Sequence, residues 1–369
     1  MIYLDHAATS YPKPGPVLDA VQRWFREVGV SEARGDSSRC RTAAQEVAST
    51  RQMLGDLVGL PGDRIAFCSG ATEGLNLALR ALLRPGDTVL TTAFEHSSVV
   101  RPLRVLERER SLRVHVLEPL PGGGLRLDDA ATAMATARPR LFVFTHASNV
   151  TGTCNEAAAL CGLARQYDCH TLLDASQTAG LVDLRVGADV VVGSGHKALH
   201  GPPGIGFVAV TGLELAPQKQ GGTGSSRALE EHPRAWPQAF EAGTPNTPGI
   251  FGLGAALRWV REQEPARLLA HGLARVDELR EGLRRKPGVR LLSPAAGPRV
   301  PILSFVHSGY DPAELGALFD SADIHVRTGF HCAPWLHAHL GTQKGGTVRL
   351  SPGPETTSED VARVLAALP

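Results

Sequence analysis

The stretch Ala188-Asp-Val-Val-Val-Gly-Ser-Gly-His-Lys197 carries a β-branched run, Val190 to Val192, that stops on Gly193-Ser194-Gly195. Small residues at that point let backbone and ligand come close, so Lys197 falls at the exit of a short buried strand. The chain has five lysines, and Lys13, Lys219, Lys286 and Lys344 stand in Pro/Gly-rich or polar surroundings where a solvated ammonium costs little. Lys197 is the odd one out. An amine beside a ligand, with its charge disfavoured by partial burial, is what an imine-forming nucleophile requires. This stretch alone leaves an ordinary surface lysine as an equal alternative.

Other strand exits carry polar groups of different kinds. Ser69-Gly-Ala-Thr-Glu-Gly-Leu-Asn76 is a small-residue turn entering a helix, whose free N–H groups and Thr72 hydroxyl make an anion site suited to phosphate, or else Thr72 merely caps the helix. Phe94-Glu-His-Ser-Ser98 presents His96, an imidazole able to stack on a heteroaromatic ring or take a proton, although a lone histidine is more often a structural hydrogen bonder. Asn149, in Thr145-His-Ala-Ser-Asn-Val-Thr-Gly152, offers an amide to an oxygen-bearing substrate. Asp174 ends an apolar run, where a carboxylate is costly unless paired. A protonated pyridine nitrogen would pair it, and Gln177 could reach a phenolic oxygen on the same ring. A helix cap is the plainer role for Asp174.

Positioning these groups requires an alternating chain. Pro12 and Pro14 precede a helical spacing at Val17, Ala20, Val21, Trp24 and Phe25, and a second helical pattern runs from Ser38 to Gly59. Strand and helix then alternate: strands at 64–68, 88–92, 112–118, 140–145, 170–174 and 189–193, helices at 70–83, 98–110, 128–137 and 156–167. Such alternation predicts an α/β fold with a mostly parallel sheet and ligands beyond the carboxyl ends of its strands. Gln218 to Pro248 reads as a long functional or interfacial loop. Helices at 252–264 and 268–285 lead into a smaller C-terminal α+β domain with strands at 302–307 and 347–351 and helices at 312–321 and 358–368. The expected division is an N-terminal arm packing on the small domain (1–15), a large domain (16–250) and the small domain (251–369).

At 369 residues the chain is long enough for two cores. Its net charge of +1, with both signs mixed throughout, gives no electrostatic case for nucleic acid or an anionic membrane. No apolar run approaches the roughly 18 residues needed to span a bilayer, and Met1-Ile-Tyr-Leu-Asp-His6 is unlike a signal peptide, so a cytoplasmic protein is expected. The six cysteines contain no CxxC pair, so no metal site or disulfide framework is expected, and most read as small buried hydrophobes.

Taken together, Tyr3-Leu-Asp-His-Ala-Ala-Thr9, Gly70-Ala-Thr-Glu73, Glu95-His96, Ser148-Asn149, Asp174-Ala-Ser-Gln177, Ser194-Gly-His-Lys197, Phe240-Glu-Ala-Gly-Thr-Pro-Asn246, Arg327-Thr-Gly-Phe-His-Cys-Ala-Pro334 and Val348-Arg-Leu-Ser351 resemble, in order and over nearly the whole length, the cysteine desulfurase branch of the class V aminotransferases. The resemblance implies fold type I and a pyridoxal 5'-phosphate cofactor joined to Lys197 as an imine. It implies His96 stacked on the ring, Asp174 at the pyridinium nitrogen and Gln177 near the phenolic oxygen. Ala71, Thr72, Ser194 and His196 would hold the phosphate, with Thr244 reaching it from the partner subunit of a homodimer. Arg349 would grip the substrate carboxylate as a bidentate fork, helped by Asn149.

Cys332 narrows the reaction. It lies in a loop bordered by Gly329 and Pro334, where an exposed thiol near Arg327 and His331 can gain thiolate character. In the resembling enzymes this cysteine takes sulfur from L-cysteine as a persulfide and alanine leaves. The implied function is therefore L-cysteine desulfuration with delivery to a sulfur-acceptor protein, iron–sulfur cluster assembly being one such destination. A selenocysteine lyase, a C–S lyase, an epimerase or an aminotransferase on the same scaffold would need no persulfide, and a non-catalytic cofactor-binding protein no turnover at all. One departure from the family pattern is Ala33-Arg-Gly-Asp-Ser-Ser-Arg-Cys40, where Asp36 and Ser37 stand in place of a histidine, and Phe330 before His331 is another.

Overall fold

Runs of four or five residues, most of them apolar, form the central strands of the computed structural model, which describes residues 1–32, 35–120, 123–224 and 230–369. In chain order the elements are β1 (Ile2–Tyr3), α1 (Gly15–Arg23), α2 (Ser38–Val58), β2 (Ile65–Cys68), α3 (Ala71–Leu82), β3 (Thr88–Thr92), α4 (Ser97–Arg110), β4 (Arg113–Leu117), α5 (Leu127–Ala137), β5 (Leu141–Thr145), α6 (Ala157–Gln166), β6 (His170–Asp174), β7 (Val190–Ser194) and β8 (Gly206–Val210). They continue as α7 (Thr247–Glu262), α8 (Pro265–Leu283), β9 (Val289–Leu291), β10 (Leu303–His307), α9 (Pro312–Ser321), β11 (Ile324–His325), β12 (Arg327–Gly329), α10 (Pro334–His339), β13 (Thr347–Leu350) and α11 (Ser358–Ala367).

The central sheet has the order β2-β8-β7-β6-β5-β3-β4. β3 through β7 pair in parallel, while β8 runs antiparallel between β7 and β2. β8 is absent from the alternating pattern because Gly206-Phe-Val-Ala-Val210 follows β7 by a short loop without an intervening helix. Since β8 reverses direction, β2 points the same way as the parallel strands. Cys68, Thr92, Thr145, Asp174 and Ser194 therefore end their strands on one edge of the sheet. One core packs α2, α5, α6 and α7 on one face, and a second packs α3 and α4 on the other. Burial on both faces is why β2, β5, β7 and β8 read as near-continuous apolar runs, whereas the edge strand β4, Arg-Val-His-Val-Leu, alternates.

A four-stranded antiparallel sheet, β12-β13-β10-β9, and helices α8, α9 and α11 enclose another core. Ile2 and Leu4 of the N-terminal arm are buried in it, and β1 pairs in parallel with β11. α7 contributes Ile250, Leu253 and Leu257 to the first core and α8 contributes Val276, Leu279 and Leu283 to this one, so the chain changes cores at Gln263–Glu264. Of the segment that departs from the family pattern, Ala33 and Arg34 lie outside the described residues, and Ser37 caps α2 by accepting from the Cys40 N–H at 3.2 Å.

Candidate active site

Between the strand exits and the second sheet lies a cavity of about 400 Å³. Ala71, Thr72, His96, Asn149, Asp174, Gln177, Ser194, His196, Lys197, Cys332 and Arg349 all line it, so the structure gathers eleven of the sequence-derived candidates. Thr244 is elsewhere. It lines a neighbouring cavity of about 730 Å³ that shares Ser69 and Glu73 with the first.

Each group is held by the element that delivers it. α3 begins at Ala71 after Gly70, whose φ of +156° is a glycine conformation and which makes no side-chain cap. Thr72 is thus not a cap, and its hydroxyl lies 3.4 Å from that of Ser98. His96 precedes α4, and its Nδ1 accepts the Ser98 N–H at 3.1 Å and bonds the Ser98 hydroxyl. That places any neutral-form proton on Nε2. Asp174 Oδ1 accepts the Ser176 N–H at 2.9 Å and its hydroxyl, which fixes the carboxylate at the cavity wall. Gln177 donates one amide N–H to the Ala7 carbonyl at 2.9 Å and keeps a second.

Burial sets the charges. It pushes the Lys197 ammonium below its ordinary range, against the pull of Asp174. It also lowers His96 to about 4 with help from the Lys197 charge, and His196 likewise to about 4, so both rings are neutral at pH 7. Glu95 is fully buried beneath the site and pushed up to about 8, although Thr92 Oγ1 at 2.6 Å and the Thr145 N–H at 3.0 Å both donate to it.

The opposite wall comes from the second sheet. Arg349, in β13, donates Nη1 to the Asn149 carbonyl at 3.0 Å and Nη2 to Asp5, with both charged side chains buried. Asn149 donates its amide to the His331 carbonyl. Cys332 is exposed, whereas Cys40, Cys68, Cys154, Cys161 and Cys169 are buried. His331 does not charge the surroundings of that thiol. Its ring is buried with Nε2 2.8 Å from the Thr347 hydroxyl, and burial beside Arg349 lowers it to about 2. Arg327 is the cation on that side, half-exposed and 4.0 Å from Asp5.

Several contributors were not expected. Asp5 and Ser97 hold Arg349 and the Cys332 loop across more than 200 positions, while Ser98 and Ser176 hold His96 and Asp174 from two residues further along the same motifs. Lys13 is a second departure. It is half-buried rather than solvated, and burial pushes its amine down to about 8. Among the described residues no cluster of three or more His, Cys, Asp or Glu suits a metal ion, and no helix is long and apolar enough to cross a membrane.

The family model for aminotransferase class V matches residues 2–364. A cysteine desulfurase of Salmonella agona is 32% identical, the alignment covering all of this chain and 92% of that protein. The apo structure of a cysteine desulfurase from Thermococcus onnurineus superposes with a TM-score of 0.91 at 29% identity, over 99% of this chain and 93% of that one. An Escherichia coli cysteine desulfurase in an S-sulfonic acid form gives 0.88 at 26% identity, over 99% and 93%.

Proposed function

The chain belongs to the class V aminotransferase family, and from that premise we propose that it is a pyridoxal 5'-phosphate-dependent L-cysteine desulfurase. The observation that carries this is Lys197 and Cys332 on one cavity, the amine from the sheet edge and the thiol from the facing loop.

The residues present fit the cofactor. His196 Nδ1 and Arg349 Nε are buried without a partner. The first turn of α3 directs N–H groups at the cavity, which suits a phosphate held also by Ala71, Thr72, Ser194 and His196. Asp174 is the carboxylate for a ring nitrogen, the second N–H of Gln177 suits a phenolic oxygen, and neutral His96 offers a flat face. Lys197 is the amine for the aldehyde. The bound cofactor would supply an electron sink at the substrate carbon.

The remaining work falls to this chain's side chains. Arg349 and Asn149 orient the substrate carboxylate, and the Arg349–Asp5 and Asn149–His331 bonds hold those groups in place beforehand. Lys197, kept below its ordinary pKa, and the Nε2 of His96 move protons at the substrate carbon. The Cys332 thiolate attacks the substrate sulfur, the sulfur–carbon bond breaks with its electron pair left on carbon, and that carbon takes up a proton to leave as alanine. The sulfur stays on Cys332 as a persulfide for an acceptor protein, in keeping with the exposure of that residue.

Thr244, lining the cavity next to the site, is assigned to the phosphate of a second copy in a homodimer, and the protein is placed in the cytoplasm. The test is purified protein with L-cysteine. Alanine should form, and a mass increase of one sulfur should map to Cys332. Lys197→Ala should lose the coloured cofactor adduct and turnover. Unchanged alanine formation in Cys332→Ala without added thiol would point instead to a lyase or transaminase.

A further inference from the structure

Four donors converge on one backbone carbonyl. The His196 C=O, in the peptide bond that leads into Lys197, lies 2.9 Å from the Ser10 N–H, 3.1 Å from the Ser10 hydroxyl, 3.2 Å from the Thr9 hydroxyl and 3.0 Å from Lys13 Nζ. A carbonyl has two lone pairs, so the donors crowd and share it. Lys13 Nζ also donates to Ser10 Oγ at 2.7 Å, which orients that hydroxyl toward the same oxygen.

The surroundings make this grip consequential. Beside Lys197 is a further small cavity of about 50 Å³, bounded by His6, Gln177, Lys197, Ala198 and His200 among others. Packing therefore does not fill all the space around the lysine. The turn is tied at its ends by Gly195 N–H to Ile205 O at 3.0 Å and Gly201 N–H to Gly195 O at 2.8 Å. Between those ties, the His196 carbonyl is where the neighbouring arm takes hold. Lys13 contributes the charged member of the set, and hydrogen bonds from an ammonium are roughly twice as strong as neutral ones. Keeping that amine half-buried is costly, which its lowered pKa reflects, and its two bonds offset the cost.

We infer that Lys13 is a positioning residue for Lys197: with Thr9 and Ser10 it clamps the His196 carbonyl and fixes the backbone from which the reactive amine extends. The inference rests on the desulfurase reading above. The same arm segment reaches Arg349 through Asp5 and Gln177 through the Ala7 carbonyl, so one stretch of chain holds three groups of the site in register.

The test compares Lys13→Met and Lys13→Arg in full-length, cofactor-loaded protein. Hydrogen exchange at the amides of residues 197–201 should be about tenfold faster in Lys13→Met, the loss expected for one charged hydrogen bond. The kcat for alanine formation should fall by about the same factor with KM for cysteine unchanged. Lys13→Arg, which keeps a charged donor, should restore both to near wild type. Unchanged exchange and kcat in Lys13→Met would overturn the clamp, and so would a loss that Lys13→Arg leaves in place, since Lys13 would then only support the fold. Should Lys13→Met not fold, Ser10→Ala removes one donor and the acceptor of Lys13, and unchanged exchange there is equally decisive against it. Borohydride reduction of the loaded wild type followed by peptide mapping separates the two levels. A label on Lys197 keeps the desulfurase reading whatever Lys13 does, and a label elsewhere removes both.

Discussion

Ser97 donates both its backbone N–H, at 2.7 Å, and its hydroxyl, at 3.0 Å, to the carbonyl of Cys332. The loop that carries Cys332 is thereby fastened to the first turn of α4, directly beside His96. His331 and Cys332 both have left-handed backbone, with φ of +45° and +57°, which costs about 1–2 kcal/mol for each non-glycine residue. The two Ser97 bonds and the Asn149 bond to the His331 carbonyl hold that conformation. Ser97→Ala keeps the N–H and loses the hydroxyl, about 1 kcal/mol. Alanine formation should slow several-fold with little change in thermal midpoint. An unaltered rate would mean that the backbone bond alone suffices.

Removing Asp5 should be costly. Its pair with Arg349 is almost wholly out of solvent, at 3% and 2% exposure, and deleting one member of such a pair strands the other charge. Asp5→Ala is expected to lower stability by about 3–5 kcal/mol, measured by urea unfolding. A loss under about 1 kcal/mol would show that solvent reaches and screens the Arg349 charge.

Replacing His96 with phenylalanine separates two roles. A flat ring remains while the proton-carrying Nε2 is lost, so cofactor retention after gel filtration should persist and kcat should drop by about 10²-fold or more. Loss of the cofactor itself would make His96 mainly a binding group.

Acid should destabilise the fold early. Burial holds His96, His146, His196 and His200 near 4, His6 near 3 and His331 near 2, against an ordinary 6.5. Between pH 6.5 and about 4 the unfolded chain binds protons that the folded chain refuses, so their contribution is present above 6.5 and is lost as pH falls. Glu95 runs the other way. Its pKa is raised from 4.5 to about 8, so its contribution is lost as pH rises through 8. Urea midpoints of cofactor-free protein should fall from pH 6.5 to 4.5, six imidazoles outweighing Glu95 and the two other carboxyls that burial raises, Glu32 and Glu355. Glu95→Gln should lose its deficit relative to wild type as pH rises from 6.5 to 8. A flat profile from 6.5 to 4.5 would contradict the buried neutral histidines.

Legibility followed the distance over which each feature is determined. The positions of Lys197, Asp174, His96 and Thr72 at strand exits were legible because a strand, its exit and the polar group that follows are contiguous in the chain. β8 was not, since a strand that reverses direction without a helix gives no alternating signal. The Asp5–Arg349 pair joins residues 344 positions apart, and the Lys13 contact with the His196 carbonyl spans 183. No local pattern encodes such pairings. Lys13 reads as solvated because its neighbours in the chain are prolines and polar residues, whereas the fold half-buries it against the Ser10 hydroxyl and the distant His196 carbonyl.

Five of the six sulfurs are sealed in the interior, and burial pushes Cys68, Cys154 and Cys169 up to about 12 and Cys161 up to about 11. To a maleimide the native molecule should therefore offer a single handle at Cys332. A dye, a spin label or a crosslinker can be hung there without engineering a cysteine-free background, and its signal would report on the mouth of the pocket.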